Sequence, residues 1–452
     1  MIRASAIREN RTHEILNGPI ATTILRLSLI NIPFVAVQIG AQIAEAWYVS
    51  ELGIEALASI ALVYPILILM QMMSAGAMGG AINSAIARAI GAGEIDRAAN
   101  LAIHSLIVAL LGAVLFQTIM LGHGAKVLDA LGATDLTRPG ALTYAGIVFL
   151  GAPSVWLLNT LASIARGTGA ISIATTGLTL AFSVQITLGA SLTLGLGPFP
   201  SLGIAGAAYG HLIGFTLGTI FLAAYILGGR TGLPFQKSKI CFRLEYFWDI
   251  LRVGLIALTS PVMNVATVLT ATILVTQSGT EALAGYGLGA RLELLMVPVV
   301  FGIGTVLTTI VATNVGAENW KRAHYAALTG GIIAGTLTGS VGVVCLIFPE
   351  TILGLFTNNQ QTIEAGSLYM TYVGPAYFFL GLGLSIYFAS LGAKQTRYPT
   401  FAVAARLGII LVSSFLIQPE SLKSIFLCIS VSIIMFGLLN LWGLKQPGWK
   451  RY

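Results

Sequence analysis

Long apolar runs separated by short polar breaks dominate this chain from end to end. A helix that spans a bilayer needs about 20 mainly apolar residues. Runs of that kind cover residues 20–48, 55–86, 98–121, 140–164, 171–195, 203–227, 248–277, 282–312, 323–348, 364–390, 398–417 and 423–443. The pattern therefore predicts an all-α polytopic membrane protein with twelve transmembrane helices. Several runs exceed the minimum, which leaves room for tilt or kinks. Pro33, Pro65, Pro153, Pro261, Pro298 and Pro375 fall inside spans, where neighbouring helices can satisfy the backbone groups that a kink frees.

The polar breaks orient the chain. With twelve spans and the N-terminus inside, nineteen of the 24 Lys and Arg residues lie in the tails, the even-numbered connections and the span ends that adjoin them (Arg26 and Arg252). Three (Lys126, Arg138, Lys423) lie on the opposite side, and Arg291 and Arg406 fall within spans. This asymmetry is the positive-inside signal, with both termini cytoplasmic in a bacterial inner membrane. It also removes nucleic acid as a partner, because the basic residues mark one membrane face. Met1–Asn17 is polar, and no cleavable signal follows it.

Composition agrees. Hydrophobic residues make up 56%, charged residues 9%, and mean hydropathy is +0.87, where a soluble chain carries roughly 25% charge. A soluble fold and a disordered chain are both excluded. The cysteines (Cys241, Cys345, Cys428) and the five histidines are dispersed, which gives no disulfide framework or metal site. His104 and His211 read as core residues. Nucleotide-loop and intramembrane hydrolase motifs are absent. The chain is therefore expected not to be an enzyme and to need no cofactor, with energy coming from an ion or substrate gradient.

The two halves repeat. "AIGAGEIDRAA" (Ala89–Ala99) matches "NVGAENWKRAH" (Asn314–His324) at a shift of 225, which also pairs Tyr144 with Tyr369. "EALAS" (Glu55–Ser59) matches "EALAG" (Glu281–Gly285) at 226. Six spans thus repeat as six, in the same orientation. Residues 1–228 are expected to form an N-terminal lobe, 229–246 a cytoplasmic linker, and 247–452 a C-terminal lobe. Parallel repeats of this kind are a recurring transporter plan, with substrate handled near the repeat interface.

Polar groups inside spans are costly and so carry functional hypotheses. Glu45 ends a stripe with Asn31, Gln38 and Gln42, at helical steps of 7, 4 and 3. A carboxyl desolvated in this way can take up and release a proton. With amide oxygens beside it the same group could hold a small cation, and a packing role is the third reading. Glu45, Gln42 and Gln38 are the candidate coupling-cation site. Glu293 is a candidate second acid, with a salt bridge to another helix, Arg406 among the partners, as an equal alternative. Candidates for a substrate cavity are Asn31, Tyr64, Gln71, Trp156, Asn159, Gln185, Asn264, Arg291, Tyr369 and Tyr372, since aromatic rings with a few polar atoms suit flat organic cations.

With these residues in view the chain resembles the multidrug and toxic compound extrusion (MATE) family along nearly its whole length. The resemblance rests on Glu45 followed by Leu52–Gly53 and Ala56–Leu57–Ala58, and on Gly91–Ala92–Gly93 with Asp96–Arg97. It rests also on Arg166–Gly167–Thr168–Gly169 and on "GPFPSLGIAGAA" (Gly197–Ala208). It implies two six-helix lobes related by pseudo-two-fold symmetry around a central cavity. It further implies antiport, with cationic drugs leaving as H⁺ or Na⁺ enters and Glu45 in the place of the first-span acid. The chain departs from the family at Gln185 and Gly189, where a second N-lobe acid is usual, and at the seventh and tenth spans, where acids are missing. A lone carboxylate favours H⁺ over Na⁺. The expected activity is cation-coupled export of hydrophobic, cationic small molecules by a monomer in the bilayer. The alternatives are a lipid-linked oligosaccharide flippase, which would favour more cavity arginines, and a membrane-embedded enzyme or scaffold.

Overall fold

The structure, a computed structural model, describes residues 2–235, 241–417 and 421–450. Residues 236–240 of the expected linker, with Lys237 and Lys239, lie outside the described residues, as does Arg451. Among the described residues the secondary structure is entirely helical. The first half runs α1 (Ile2–Asn17), α2 (Ile20–Leu29), α3 (Ile32–Ser50), α4 (Ile54–Gln71), α5 (Gly79–Gly91), α6 (Ile95–Ala130), α7 (Arg138–Leu150), α8 (Ala152–Gly167), α9 (Ile171–Leu194) and α10 (Ile204–Leu227). The second half runs α11 (Leu244–Thr276), α12 (Thr280–Gly316), α13 (Trp320–Ile347), α14 (Pro349–Gly354), α15 (Gln360–Val373), α16 (Tyr377–Gly392), α17 (Arg397–Val412) and α18 (Leu422–Leu444).

Eleven helical stretches are long and apolar enough to cross a bilayer, and α7 with α8, bent by 45°, makes a twelfth. The twelve-helix, all-α membrane fold expected from the sequence is the fold observed. Three of the six prolines sit at breaks. Pro33 opens α3, Pro153 opens α8 at the bend, and Pro375 lies in the single 3₁₀ turn Gly374–Ala376 between α15 and α16. Pro65, Pro261 and Pro298 sit inside helices that continue past them. Two irregularities contain no proline, one of them the π-helical segment Ser413–Ile417 after α17. Met72–Met78 forms a π-helical segment between α4 and α5, the kind of insertion that re-aims side chains near functional sites.

The repeat is written into the backbone. Gly53 and Gly279, 226 residues apart, have φ/ψ of 104°/170° and 103°/170°. The left-handed residues Gly93 and Glu318 are 225 apart, as are Gly169 and Lys394. The residues after the first of these pairs, Glu94 and Asn319, also match, at −85°/66° and −86°/63°. Each turn thus keeps its geometry even where glycine has been replaced.

By internal packing the chain forms two compact units. One comprises Met1–Glu14 with Leu27–Gly254, and the other Ile15–Arg26 with Leu255–Tyr452. The first unit runs on into α11, and the second takes in the start of the first span. In the first unit, α10 carries Gly206, Gly210, Gly214 and Gly218 at four-residue steps. Each presses on α9: Gly206 on the Leu192 backbone, Gly210 on Gly189, Gly214 on the Ala181 carbonyl, and Gly218 with a Cβ position 2.9 Å from the Gly177 carbonyl. Small residues at this spacing let two membrane helices approach backbone to backbone. Gly218→Leu is expected to cost about 1–3 kcal/mol, read as a lower thermal midpoint in detergent, because backbone atoms cannot yield as side chains do.

The described part of the linker is tied to α6. The Asn100 side-chain oxygen accepts from the Cys241 N–H at 3.0 Å, and His104 Nε2 accepts from the Arg243 N–H at 3.3 Å. His104 is thus a core histidine, as the sequence suggests, but one that fixes a connection. His211 is buried and stacks on Phe215, with ring centroids 4.1 Å apart. The second unit centres on a cluster that includes Tyr286, Tyr369, Tyr377 and Phe426.

Candidate functional site

In the first unit, α3 delivers Glu45 to a buried position facing α7 and α9. The Tyr144 hydroxyl donates to Glu45 Oε1 at 2.6 Å, and Gln185 Nε2 donates to Oε2 at 3.3 Å. Tyr144 is fully buried on α7. Both partners are neutral, and among the described residues no basic group pairs with this carboxylate. Tyr48, one turn beyond Glu45, is also fully buried, and its hydroxyl has no hydrogen-bond partner among the described residues. A Cβ at Gly189 would lie 2.6 Å from that hydroxyl oxygen. The position where the sequence lacks a second acid is therefore filled by the Tyr48 ring.

The polar stripe on the first span divides. The helix is interrupted at Ile30–Asn31, so Asn31 sits at the N-terminal boundary of α3 without a side-chain capping bond. There its side-chain oxygen accepts from the Thr175 hydroxyl at 2.7 Å. Thr175 and Gln185 both belong to α9, so two points along the first span are held to one neighbour. Gln38 is half-buried and Gln42 exposed, and neither is a hydrogen-bond partner of Glu45. The physical reason is rotation: α3 buries Phe34, Ala41, Glu45 and Tyr48, which puts Gln42 outside that face. Tyr64 on α4 is half-buried.

A second polar group forms at the π-helical segment. Asn159 Nδ2 donates to Ser74 Oγ at 2.9 Å and to Gln71 Oε1 at 3.2 Å. Ser163 Oγ donates to the Asn159 carbonyl at 2.8 Å and would meet any Cβ at Gly79 at 2.7 Å. The extra residue of the π turn gives Ser74 its approach to α8. Trp156 does not join this group. Its ring packs on Gly112 of α6 and lies 6.2 Å from Phe116.

In the second unit, Glu293 on α12 accepts from Arg406 Nη2 on α17 and from the Tyr369 hydroxyl on α15, both at 3.0 Å. Of the two alternatives left open for Glu293, the structure contains the salt bridge. Tyr286 and Phe426 meet Tyr369 edge-on, with centroids 5.5 and 5.2 Å away. Arg291, two positions earlier, is exposed, Tyr372 is half-buried and packs against this cluster, and Asn264 is half-buried.

Tyr144 and Tyr369 are repeat equivalents, and each holds a carboxylate in its own unit. The acids are not equivalents, since Glu45 belongs to the first span and Glu293 to the eighth. In the sequence Tyr144 stands out only as a repeat match. Its shared spacing with Tyr369 is the one signal there for a role. Among the described residues no three His, Cys, Asp or Glu side chains converge as metal ligands.

Comparison with known proteins gives consistent results. The MatE family profile matches residues 19–191 and 256–416. A curated FAD transporter of Shewanella oneidensis is 25% identical over 440 residues, covering 94% of each chain. A probable multidrug resistance protein NorM of Thermotoga maritima is 26% identical over 328 residues, covering 72% of this chain and 69% of that one. Among solved structures, a MOP superfamily transporter from Pyrococcus furiosus, described as having a binding pocket of reverse polarity, superposes with a TM-score of 0.88. It is 24% identical and covers 97% of this chain and 98% of its own. An outward-facing multidrug resistance MATE transporter gives 0.86 at 23% identity, covering 97% and 98%. These structural likenesses speak to the fold.

Proposed function

The chain belongs to the MatE family of multi-pass membrane transporters, and from that premise we propose that it is a proton-coupled antiporter exporting hydrophobic, cationic small molecules by alternating access. The carrying observation is the contrast between its two buried acids. Glu45 is held by the neutral partners Tyr144 and Gln185, whereas Glu293 is neutralised by Arg406. A carboxyl without a basic partner in a membrane interior can change charge by gaining a proton, and that change can bias one conformation over another. A sodium site would need several oxygen acceptors. The groups on the Glu45 oxygens are donors instead, which favours H⁺. We place the protein in the bacterial inner membrane as a monomer with both termini cytoplasmic, the orientation that the basic residues favour.

The test uses purified protein in liposomes loaded for ethidium transport, with an imposed pH gradient compared against an imposed Na⁺ gradient. Faster pH-driven than Na⁺-driven flux is the expected result. Equal or greater Na⁺-driven flux would overturn proton coupling. A second reading, export of an aromatic anion such as the FAD named for the Shewanella relative, is favoured by one observation, the exposed Arg291 within a span. Running FAD beside ethidium in the same vesicles separates the two.

A further inference from the structure

A charge reversal between the two repeats marks a site distant from Glu45. In the first unit, the turn between α5 and α6 carries Glu94, Asp96 and Arg97. Arg97 is ion-paired with carboxylates there, Glu94 at 2.8 Å and Asp249 at 3.0 Å, with its Nε–H, like that of Arg322, unpartnered among the described residues. The equivalent turn between α12 and α13 in the second unit has the same backbone conformation, as the dihedral angles of Glu94 and Asn319 record. Its charge balance is reversed, although Gly93 becomes Glu318 and so leaves one acid in the second turn. At the shift of 225, Glu94 becomes Asn319, Asp96 becomes Lys321, Arg97 stays arginine as Arg322, and Ala99 becomes His324. The Arg322 guanidinium donates to backbone carbonyls, those of Ile15 and Gly18, and its Nε–H is buried without a partner among the described residues.

An open space lies beside Arg322. A cavity of about 690 Å³ is lined by Ile20, Asn319, Lys321, Arg322, His324 and Tyr325, none of them acidic. Trp449 packs edge-on to His324 at 6.1 Å and sets Lys450 within electrostatic reach, which adds a further cation. The cavity lies at the first turns of α2 and α13, where the spans Ile20–Ser50 and Trp320–Ile347 begin, on the side rich in basic residues. Its surroundings are apolar towards the bilayer. Tyr325 is 60% exposed, Ile332 is exposed two turns further along α13, and Leu25 and Leu29 are exposed on α2. Basic groups around a pocket at the cytoplasmic interface, beside exposed aliphatic and aromatic side chains, match the two ends of a phospholipid.

We propose that this cavity binds the headgroup of an anionic phospholipid of the cytoplasmic leaflet, its phosphate taking the place that the Glu94 and Asp249 carboxylates hold in the first repeat. Lys321 and Arg322 are the principal contacts, with Tyr325 at the acyl-chain boundary. Because Arg322 also holds the Ile15 and Gly18 carbonyls, the lipid secures the chain segment that leads into the first span.

The test uses the full chain, delipidated in detergent and then given phosphatidylglycerol or phosphatidylcholine. Retained lipid is read by native mass spectrometry and stability by thermal unfolding. Phosphatidylglycerol is expected to be retained preferentially and to raise the thermal midpoint. Lys321→Glu should weaken that retention roughly fivefold or more, given the worth of one basic residue near an anionic surface. Asn319→Glu restores the first repeat's internal carboxylate. It should remove the lipid dependence while the lipid-free protein still unfolds cooperatively, an outcome that misfolding would not give, although the Asn319 cap bond to the Arg322 N–H is exchanged for the new ion pair. Equal retention of the two lipids, or undiminished preference in both variants, overturns the proposal. Equal protection by inorganic phosphate at the same concentration also overturns it, since the site would then serve a soluble anion.

Discussion

Glu45→Gln is expected to abolish pH-driven ethidium transport, lowering it to the rate of protein-free liposomes, without unfolding the protein. The substitution keeps size and shape. The carbonyl of the introduced amide can still accept from the Tyr144 hydroxyl, as Glu45 Oε1 does now at 2.6 Å. Its new N–H₂ group would oppose Gln185 Nε2, but the Gln185 side-chain oxygen lacks a partner among the described residues, so a turn of the Gln185 amide restores the bond. What is lost is the buried carboxyl that has only neutral partners among the described residues. Tyr144→Phe supplies the comparison: the acid remains, one donor is removed, and pH-driven transport should persist with an altered pH profile. Undiminished coupled flux in Glu45→Gln, measured beside unchanged thermal unfolding, would show that the coupling proton binds elsewhere.

The second large effect concerns stability. Arg406 and Glu293 are 11% and 16% exposed, and their 3.0 Å ion pair joins α17 to α12. Removing one partner of a buried pair costs about 3–5 kcal/mol, because the other charge is stranded, whereas replacing both with apolar or neutral groups is often close to neutral. Arg406→Met should therefore lower the thermal midpoint sharply. Glu293→Gln with Arg406→Met should recover most of that loss, and Glu293→Gln alone should retain proton-driven flux. A double variant no more stable than Arg406→Met would mean that the loss comes from packing around Tyr369 rather than from charge. Loss of proton drive in Glu293→Gln would instead make this pair part of the coupling machinery.

Much of this architecture is legible in the linear pattern. Spanning runs, their number and the positions of their breaks follow from hydropathy and proline, because a bilayer permits few alternatives to a continuous helix. The repeat is legible too, down to Gly53 and Gly279, since matched turns demand matched backbone geometry. The four-residue glycine series on α10 is present in the sequence and is a signal that could pair α10 with a close neighbour. The π-helical segment at Met72–Met78 is not legible. No proline marks it, and it is stabilised by what Ser74 meets on α8.

The candidate site divides along the same line. Sequence alone determined that Glu45 is a membrane-embedded carboxylate on a polar stripe and that Glu293 and Arg406 are charges inside spans, because helical periodicity and desolvation act on the single helix. Which side chains answer those charges was decided only by tertiary structure. Tyr144 and Gln185, 99 and 140 residues from Glu45, displaced the nearby Gln38 and Gln42 as its partners. Arg406, 113 residues from Glu293, is the basic partner of that acid. Partner choice depends on how each helix is rotated and which neighbour it meets, and one helix's own period carries no information about either.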